Sequence, residues 1–168
     1  MCRLIRKNID ITELRKTMGV WTTGVAVVTT RDSDDKPVGM TINSLVSISL
    51  TPALIGWCID RGAASFDVFA RCRVFSLSIL SGDQFELAQR FATRGANKFE
   101  GIADAEGGGD VLIPGACAWV RCRLYRLVPL GDHLMLIGEV MDFANEGRLP
   151  LVFSRGAFVA PVNIEHAA

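Results

Sequence analysis

Between Gly39 and Leu50 the sequence GMTINSLVSISL places Thr41, Asn43, Ser47 and Ser49 at even spacing. With the side-chain period of two of a β-strand, these residues share one face with Leu45. Met40, Ile42, Val46, Ile48 and Leu50 fall on the other face, which Ser44 interrupts. The polar face holds hydroxyls and one amide, with no Lys, Glu or Arg. Short groups of this kind let a polar ligand come close, where long charged side chains would stand in its way. Taken alone, they read as readily as hydroxyls on a solvated or subunit-facing strand.

Few other residues could do chemistry. Five cysteines (Cys2, Cys58, Cys72, Cys117, Cys122) form no CxxC pair, and the two histidines, His133 and His166, lie far apart. Metal-ligand spacing is absent, and nothing sets a histidine beside a thiol as a nucleophile pair would need. Metal sites are therefore not expected, and the thiols read as reduced and mostly buried in a cytoplasmic protein. Ser65, which opens SFDVFARC, is placed to cap a helix of two turns, and a helix N-terminus with free N–H groups also attracts anions. Arg90, Arg94 and Lys98 recur every four residues, one face of a helix if that helix continues through Gly95. Such a run is usually a solvated stripe, but it is also the clearest cationic patch for a phosphate. His133 follows the turn Gly131-Asp132, where a polar turn residue is the plain reading.

The elements that position these residues follow from periodicity and turn chemistry. Asp10-x-x-Glu13 is a capping box opening a short helix, and GVAVVTTR (24–31) is a Val/Thr-rich strand. DSDDKP (32–37) turns into the 39–50 strand, making a hairpin. ALIGWCID (53–60) is continuously apolar and expected to be central, and RVFSLSIL (73–80) alternates as a further strand. Ser81-x-x-Gln84 is a second capping box, before a helix with Phe85, Ala88 and Ala92 on one face. AEGGGD (105–110) is expected to be a mobile loop, not a phosphate cradle. The strands 118–130 and 133–143 are joined by Gly131-Asp132, and 150–159 closes the chain. Seven strands with two or three short helices indicate a mainly antiparallel sheet, closed or partly closed into a barrel. No βαβ rhythm or GxGxxG appears, which disfavours a dinucleotide-binding Rossmann domain.

Composition narrows the classes. The chain has 168 residues, 49% hydrophobic and 21% charged, with Lys+Arg and Asp+Glu at 18 each. That length suits one compact domain spanning 1–168, with its core over about 12–160. Zero net charge leaves no electrostatic footprint for nucleic acid or an anionic membrane. No stretch approaches the roughly 18 apolar residues of a spanning helix, and MCRLIRKNIDITEL lacks a secretory signal's apolar core.

MGVWTTGVAVVTT, GMTINSLVSISLTPALIGWCIDR, SILSGDQFELAQRFA…KFEG, GACAWVRCRL, GDHLMLIGEV and PLVFSRGAF occur in this order. Together they resemble the flavin reductase-like family, the reductase components of two-component flavin-dependent monooxygenases, over about residues 12–160. The resemblance implies a split β-barrel (Greek-key antiparallel), usually a homodimer, that binds FMN or FAD and is reduced by NADH or NADPH. It implies a separate oxygenase as partner. By the family pattern, Met40, Thr41, Ile42, Asn43 and Ser44 line the ribityl chain and ring edge, and the backbone at Ser47 faces the pyrimidine half. Ser65 lies where the flavin phosphate rests, with Asp60 and Arg61 beside it. The family's RF…KF signature matches Arg90-Phe91 and Lys98-Phe99, placing Phe91, Lys98 and Phe99 near the flavin. His133 is implied as the one catalytic candidate, near the nicotinamide, and Arg155 as a further flavin neighbour. Ser154 stands where the family more often has an aromatic, Trp21 replaces a commoner Phe, and Arg121 replaces an acid or apolar residue. The expected function is an NAD(P)H-dependent flavin reductase. The alternatives are a split-barrel flavoprotein reducing a corrinoid, ferric chelate or quinone, and a non-enzymatic flavin- or haem-binding module.

Overall fold

The computed structural model describes residues 9–95, 97–102 and 111–159. Among them are three helices, α1 (Ile11–Met18), α2 (Phe66–Phe69) and α3 (Phe85–Ala92), and ten strands. The strands are β1 (Thr23–Gly24), β2 (Ala26–Arg31), β3 (Pro37–Ile42), β4 (Val46–Leu50) and β5 (Ala53–Asp60), followed by β6 (Val74–Ile79), β7 (Ala118–Leu130), β8 (His133–Asn145), β9 (Val152–Ser154) and β10 (Ala157–Val159). Seven form one sheet in the order β3-β2-β6-β7-β8-β5-β4, and β1, β9 and β10 form a small second sheet. Each described strand pairing is antiparallel. The 105–110 loop lies outside the described residues.

The stretch 39–50 is not one strand. It breaks after Ile42, and its halves are the two opposite edges of the large sheet. β3 pairs with β2, whereas β4 pairs with β5. Six inter-strand steps in a flat sheet would hold these edges about 29 Å apart. The four Cα steps from Ile42 to Val46 reach at most roughly 14 Å. The sheet must therefore curl until its edges meet at that end, giving an open barrel whose seam is Asn43-Ser44-Leu45. Ser44 fastens the seam: its hydroxyl accepts from the Cys58 N–H (3.0 Å) and donates to the Cys58 carbonyl (3.2 Å). This side chain thus extends the β4–β5 ladder by one rung.

Other boundaries move for local reasons. The 24–31 strand divides at Val25, so that Thr23-Gly24 joins β9 while Ala26–Arg31 joins the large sheet. β5 has partners on both sides but lies one place from the edge, and β7 is the middle strand. The closing segment folds back at Arg155 (φ 52°) and Gly156 (φ 81°) into the β9–β10 hairpin. Asp10 caps α1 by accepting from Thr12 N (2.8 Å) and Glu13 N (3.2 Å), while Glu13 pairs with Lys16. Gln84 accepts from Ser81 N (3.0 Å), but Ser81 donates to Asp83 and Gly115, so α3 begins only at Phe85.

Two clusters make the core. Inside the curl, Trp57, Phe69, Phe75, Leu77, Ile59 and Leu136 pack with Ala26 and Val28. Outside it, Val25, Val27, Leu80, Ala88, Phe91 and Leu151 pack between the sheet and α3. β2 is therefore buried on both faces, which is why its run is Ala-Val-Val and not alternating. The buried side of α3 is Ala88 and Phe91; Phe85 is partly exposed and meets Phe158 edge-on. Fully burying the Phe91 ring contributes roughly 1.5–3 kcal/mol.

Candidate functional site

A cavity of about 570 Å³ lies between β3, the β5–α2 turn and the C-terminal end of α3. Met40, Thr41, Asp60, Ser65, Phe91 and Lys98 line it, six of the residues singled out in the sequence. β3 carries Gly39 where α3 crosses, which lets the end of the helix approach the strand closely. A Cβ on Gly39 would sit 2.9 Å from Phe91 Cε1 and 3.0 Å from Phe99 Cζ. The two rings stand edge to face (5.1 Å, 87°) and lean on bare backbone. Phe91 is fully buried and lines the cavity, while Phe99 packs against Phe91 without lining the cavity itself.

The three spaced cations do not form a helical stripe, because α3 ends at Ala92 and Gly95 takes φ +73°. Each reaches a backbone carbonyl instead. Lys98 Nζ donates to Phe91 O (2.8 Å) and Gly39 O (3.1 Å), Arg94 to Gly62 O (2.8 Å), and Arg90 to Glu100 O (3.0 Å). Lys98 thereby satisfies a carbonyl of the last turn of α3, where positive charge is favoured. Partial burial holds its ammonium pKa below 10.5. Lys98 and Arg94 both line the cavity, fixed at one end of it. Ser65 donates to Met40 Sδ (3.4 Å) and does not cap α2, which is a single turn and not two.

The floor continues along β3. A second cavity of about 210 Å³ shares Thr41 and Ala92 with the first. A third, of about 270 Å³, shares Val25 and Asn43 with the second. Thr41 Oγ1 donates to Ala88 O (2.6 Å), so its lone pairs are what remains for a ligand. Ile42 is buried in the barrel core, leaving its backbone for contact. Asn43 is exposed and its amide has no partner among the described residues. Ser44 has its hydroxyl hydrogen committed to Cys58.

The remaining candidates sit at the margins. Asp60 Oδ1 accepts from Gly62 N (2.6 Å), tying the turn that carries Arg61, whose guanidinium lies 5.9 Å from the Phe66 ring centre. His133 is paired with Asp60 across β5 and β8, and its Nδ1 lies 2.7 Å from Asp132 Oδ1. That contact holds the Asp132 carboxyl below its usual range. His133 thus flanks the Asp60–Arg61 end of the groove without lining the three cavities. Ser47 is exposed on β4 and pairs with Ile55. Arg155 donates its N–H to Gly19 O (2.7 Å) at the end of α1, away from the Lys98 end.

Several lining residues carried no signal of their own. Trp21, Thr22, Thr23 and Leu45 line the third cavity, and Phe153 and Phe158 the second. Leu45 belongs to the seam, Trp21 and Thr22 lead into β1, and Phe153 and Phe158 lie in the β9–β10 hairpin, with β1 and β9 pairing across well over a hundred residues of chain. In the sequence Trp21 stands out only as a departure from a commoner Phe, and Leu45 only as the apolar member of the polar face.

The arrangement is a groove with fixed cations at one end and a floor of hydroxyl, amide and backbone groups, suited to a long ligand with a phosphate and a polar ring. The described cysteines are free, and burial pushes the Cys72 thiol up to about 11 and raises Cys58 and Cys117. No described thiol is set up as a nucleophile.

Comparison with known proteins bears on that groove. Residues 18–161 match the family described as "Flavin reductase like domain". The chain is 38% identical over 152 residues to the reductase component of flavin-dependent trigonelline monooxygenase from Acinetobacter baylyi, covering 90% of this chain and 49% of that protein. It therefore spans about half the length of that relative. It is 34% identical to a flavin reductase of Pseudomonas putida, with 92% of each covered. Among solved structures, the NADH:FAD oxidoreductase SgcE6 of Streptomyces globisporus in complex with NAD and FAD fragments superposes with a TM-score of 0.86. It is 32% identical and covers 99% of this chain and all of that one.

Proposed function

The chain belongs to the flavin reductase-like family, and from that premise we propose that it is an NAD(P)H-dependent flavin reductase. It takes FMN, or FAD, in the groove along β3 and supplies reduced flavin to a separate flavin-dependent monooxygenase. The observation that carries this reading is the continuity of three cavities from Lys98 and Arg94, past Thr41 and Asn43, to Trp21.

In this reading the residues divide the ligand among them. Lys98, Arg94 and the Ser65 hydroxyl meet the phosphate, and charge-assisted contacts of this kind are about twice as strong as neutral ones. Lys98 is preorganised by its two carbonyls, so little side-chain freedom is lost on binding. Met40 and Thr41 border the ribityl chain, while Asn43 and the backbone at Ile42, Ser44 and Ser47 face the ring edge. Phe91, backed by Phe99, keeps the wall apolar and excludes water from it. Asp60 and Arg61 hold the turn beneath the phosphate, and Arg155 braces the β9–β10 hairpin at the other end. His133, beside Asp60, orients the dinucleotide. When bound, the flavin and nicotinamide supply the hydride chemistry, and the protein supplies proximity and orientation. No side-chain nucleophile is required.

A homodimer belongs to the proposal. The outer edge β4 exposes Val46 (44%), Ile48 (43%) and Leu50 (88%). An apolar, unpaired edge strand is a liability unless something covers it. A second copy is the proposed cover. Free thiols suit a reducing compartment, so the cytoplasm is part of the same reading. Among the described residues no helix is long and apolar enough to cross a membrane.

The test is the visible spectrum of the purified protein with added FMN or FAD, followed by its bleaching with NADH or NADPH under nitrogen. Bound flavin that bleaches at a rate saturating in dinucleotide supports the reading. Flavin binding without dinucleotide oxidation above background would overturn the enzymatic part. Faster turnover with a corrinoid, ferric chelate or quinone than with free flavin would move the acceptor.

A further inference from the structure

Trp21 is unusual in how it is held. The residue is 75% exposed, yet the backbone around it is fastened at several points. Trp21 N–H donates to Met18 O (3.0 Å), closing the end of α1, and the neighbouring Gly19 O accepts from Arg155 N (2.7 Å). One residue on, Thr22 Oγ1 donates to Ser154 Oγ (3.1 Å), and Thr23 pairs with Phe153 in the small sheet. Among the described residues no ring or cation packs on the indole. Exposing so large an apolar ring on a rigid support is unfavourable, and it is costly with no stabilising contact in return.

The indole also has a place. Trp21 lines the third cavity together with Asn43 and Leu45, at the end of the groove away from Lys98 and Arg94. From Gly39, whose carbonyl takes Lys98, to Asn43 along β3 is about 13 Å. A ligand whose phosphate sits at Lys98 therefore brings its ring system to the neighbourhood of Asn43 and Trp21. Thr22, Thr23 and Gly24, which line the same cavity beside the indole, are small.

We propose that Trp21 is a stacking residue of the flavin site: its indole covers the ring system of the bound flavin at the groove's far end. This rests on the flavin-reductase reading and deepens it, adding a planar platform at the end of the groove where Asn43 and the small residues Thr22, Thr23 and Gly24 line the same cavity. Because Trp21 meets the ring and not the phosphate, its contribution is the same for riboflavin as for FMN.

The experiment uses the full chain with Trp21→Phe and Trp21→Ala, titrated with FMN and with riboflavin, and read by flavin absorbance and fluorescence. An aromatic stacking pair corresponds to roughly two- to tenfold in affinity. Trp21→Ala is expected to weaken both flavins by that factor equally and to relieve part of the fluorescence quenching of the bound flavin. Trp21→Phe is expected to lie between it and the unmodified chain. Unchanged affinity and quenching in Trp21→Ala, with the unmodified chain binding flavin normally, would overturn the stacking role alone. Failure of the unmodified chain to bind any flavin would overturn the underlying reading and the stacking role with it. A loss of dimer in Trp21→Ala at constant flavin affinity per folded chain would assign the indole to a subunit contact and also overturn the proposal. A thermal melt and a sedimentation run on each variant separate these outcomes from misfolding.

Discussion

His133 stands directly opposite Asp60 in the antiparallel register of β5 and β8, with its imidazole 2.7 Å from the carboxylate of Asp132. The side chain is 41% exposed at a turn, so removing it opens no core cavity. Its pair with Asp132 is exposed and screened by solvent, so little stability rests on it. His133→Ala is therefore expected to leave melting temperature and FMN affinity nearly unchanged. If the imidazole orients the dinucleotide, stopped-flow reduction should slow or show a raised KM for NADH, since positional errors near 1 Å can cost about a hundredfold. A reduction rate equal to that of the unmodified chain at every NADH concentration removes His133 from the site.

Lys98→Ala separates phosphate binding from fold support. The ammonium bonds two backbone carbonyls, and losing charged hydrogen bonds costs roughly 1.5–3 kcal/mol. Some loss of thermal stability is expected on that account alone. FMN affinity should fall about tenfold or more beyond any fall for riboflavin, which lacks the phosphate. Equal losses for the two ligands would limit Lys98 to holding α3 against β3.

The same lysine sets a pH dependence. Burial favours its neutral form, so its folded pKa lies below the 10.5 of a free lysine. Between those two values the unfolded chain binds more protons, and the lysine's contribution to stability rises with pH across that window. FMN binding runs the other way, because the phosphate needs the charged form. FMN affinity should weaken more steeply than riboflavin affinity as pH rises toward 10.5, the difference isolating the phosphate contact from ionisation of the ring shared by both ligands. Calorimetry in that range should show proton uptake with FMN, and Lys98→Arg should abolish the difference.

Gly39→Ala tests the close approach of α3 to β3. The new methyl would lie 2.9 Å from Phe91 Cε1 and 3.0 Å from Phe99 Cζ. Forcing these rings apart is expected to cost about 1–3 kcal/mol in urea unfolding. Phe99→Leu in the same chain should restore part of it. A neutral Gly39→Ala would mean the rings move aside freely and do not fix the approach of α3 to β3.

Leu50→Glu tests the subunit contact proposed for β4. The residue is 88% exposed, so the isolated chain should keep its stability. Sedimentation velocity is expected to shift from dimer toward monomer. A stable, flavin-competent monomer of the unmodified chain at micromolar concentration would refute the dimer outright.

Much of the architecture was legible from period and turns. The 118–130 strand matches β7 residue for residue, because its two-residue turn and long alternation leave no other solution. The breaks at Val25, Ile42 and Arg155 were not legible. At Val25 and Ile42 the chain changes partner strand, and local alternation carries no information about partners; at Arg155 it folds back on itself in a turn where a non-glycine residue takes positive φ. The cations misled for a related reason: four-residue spacing was right for Arg90 within α3, but Gly95 and the Phe91–Phe99 contact folded the next residues back. Met40, Thr41, Ser65 and Lys98 do gather at one cavity, although the elements that carry them are shorter than the alternation and spacing suggest. Ser44 was placed in the right segment, yet its hydroxyl turns to Cys58, a contact visible only once β4 and β5 are paired.

The three-residue seam at Asn43-Ser44-Leu45 links the mechanics of the barrel to its occupancy. β3 and β4 are as far apart in strand order as the sheet permits, yet both are anchored to one short crossover that also floors the groove. A ligand that rests there binds only the curled state and stabilises it by mass action. Its imprint should therefore appear in amide hydrogen exchange at both outer strands together. Protection would rise in β3 and β4 while the central β7 changes little. The two rims would breathe as a single unit, with the ligand acting as the clasp.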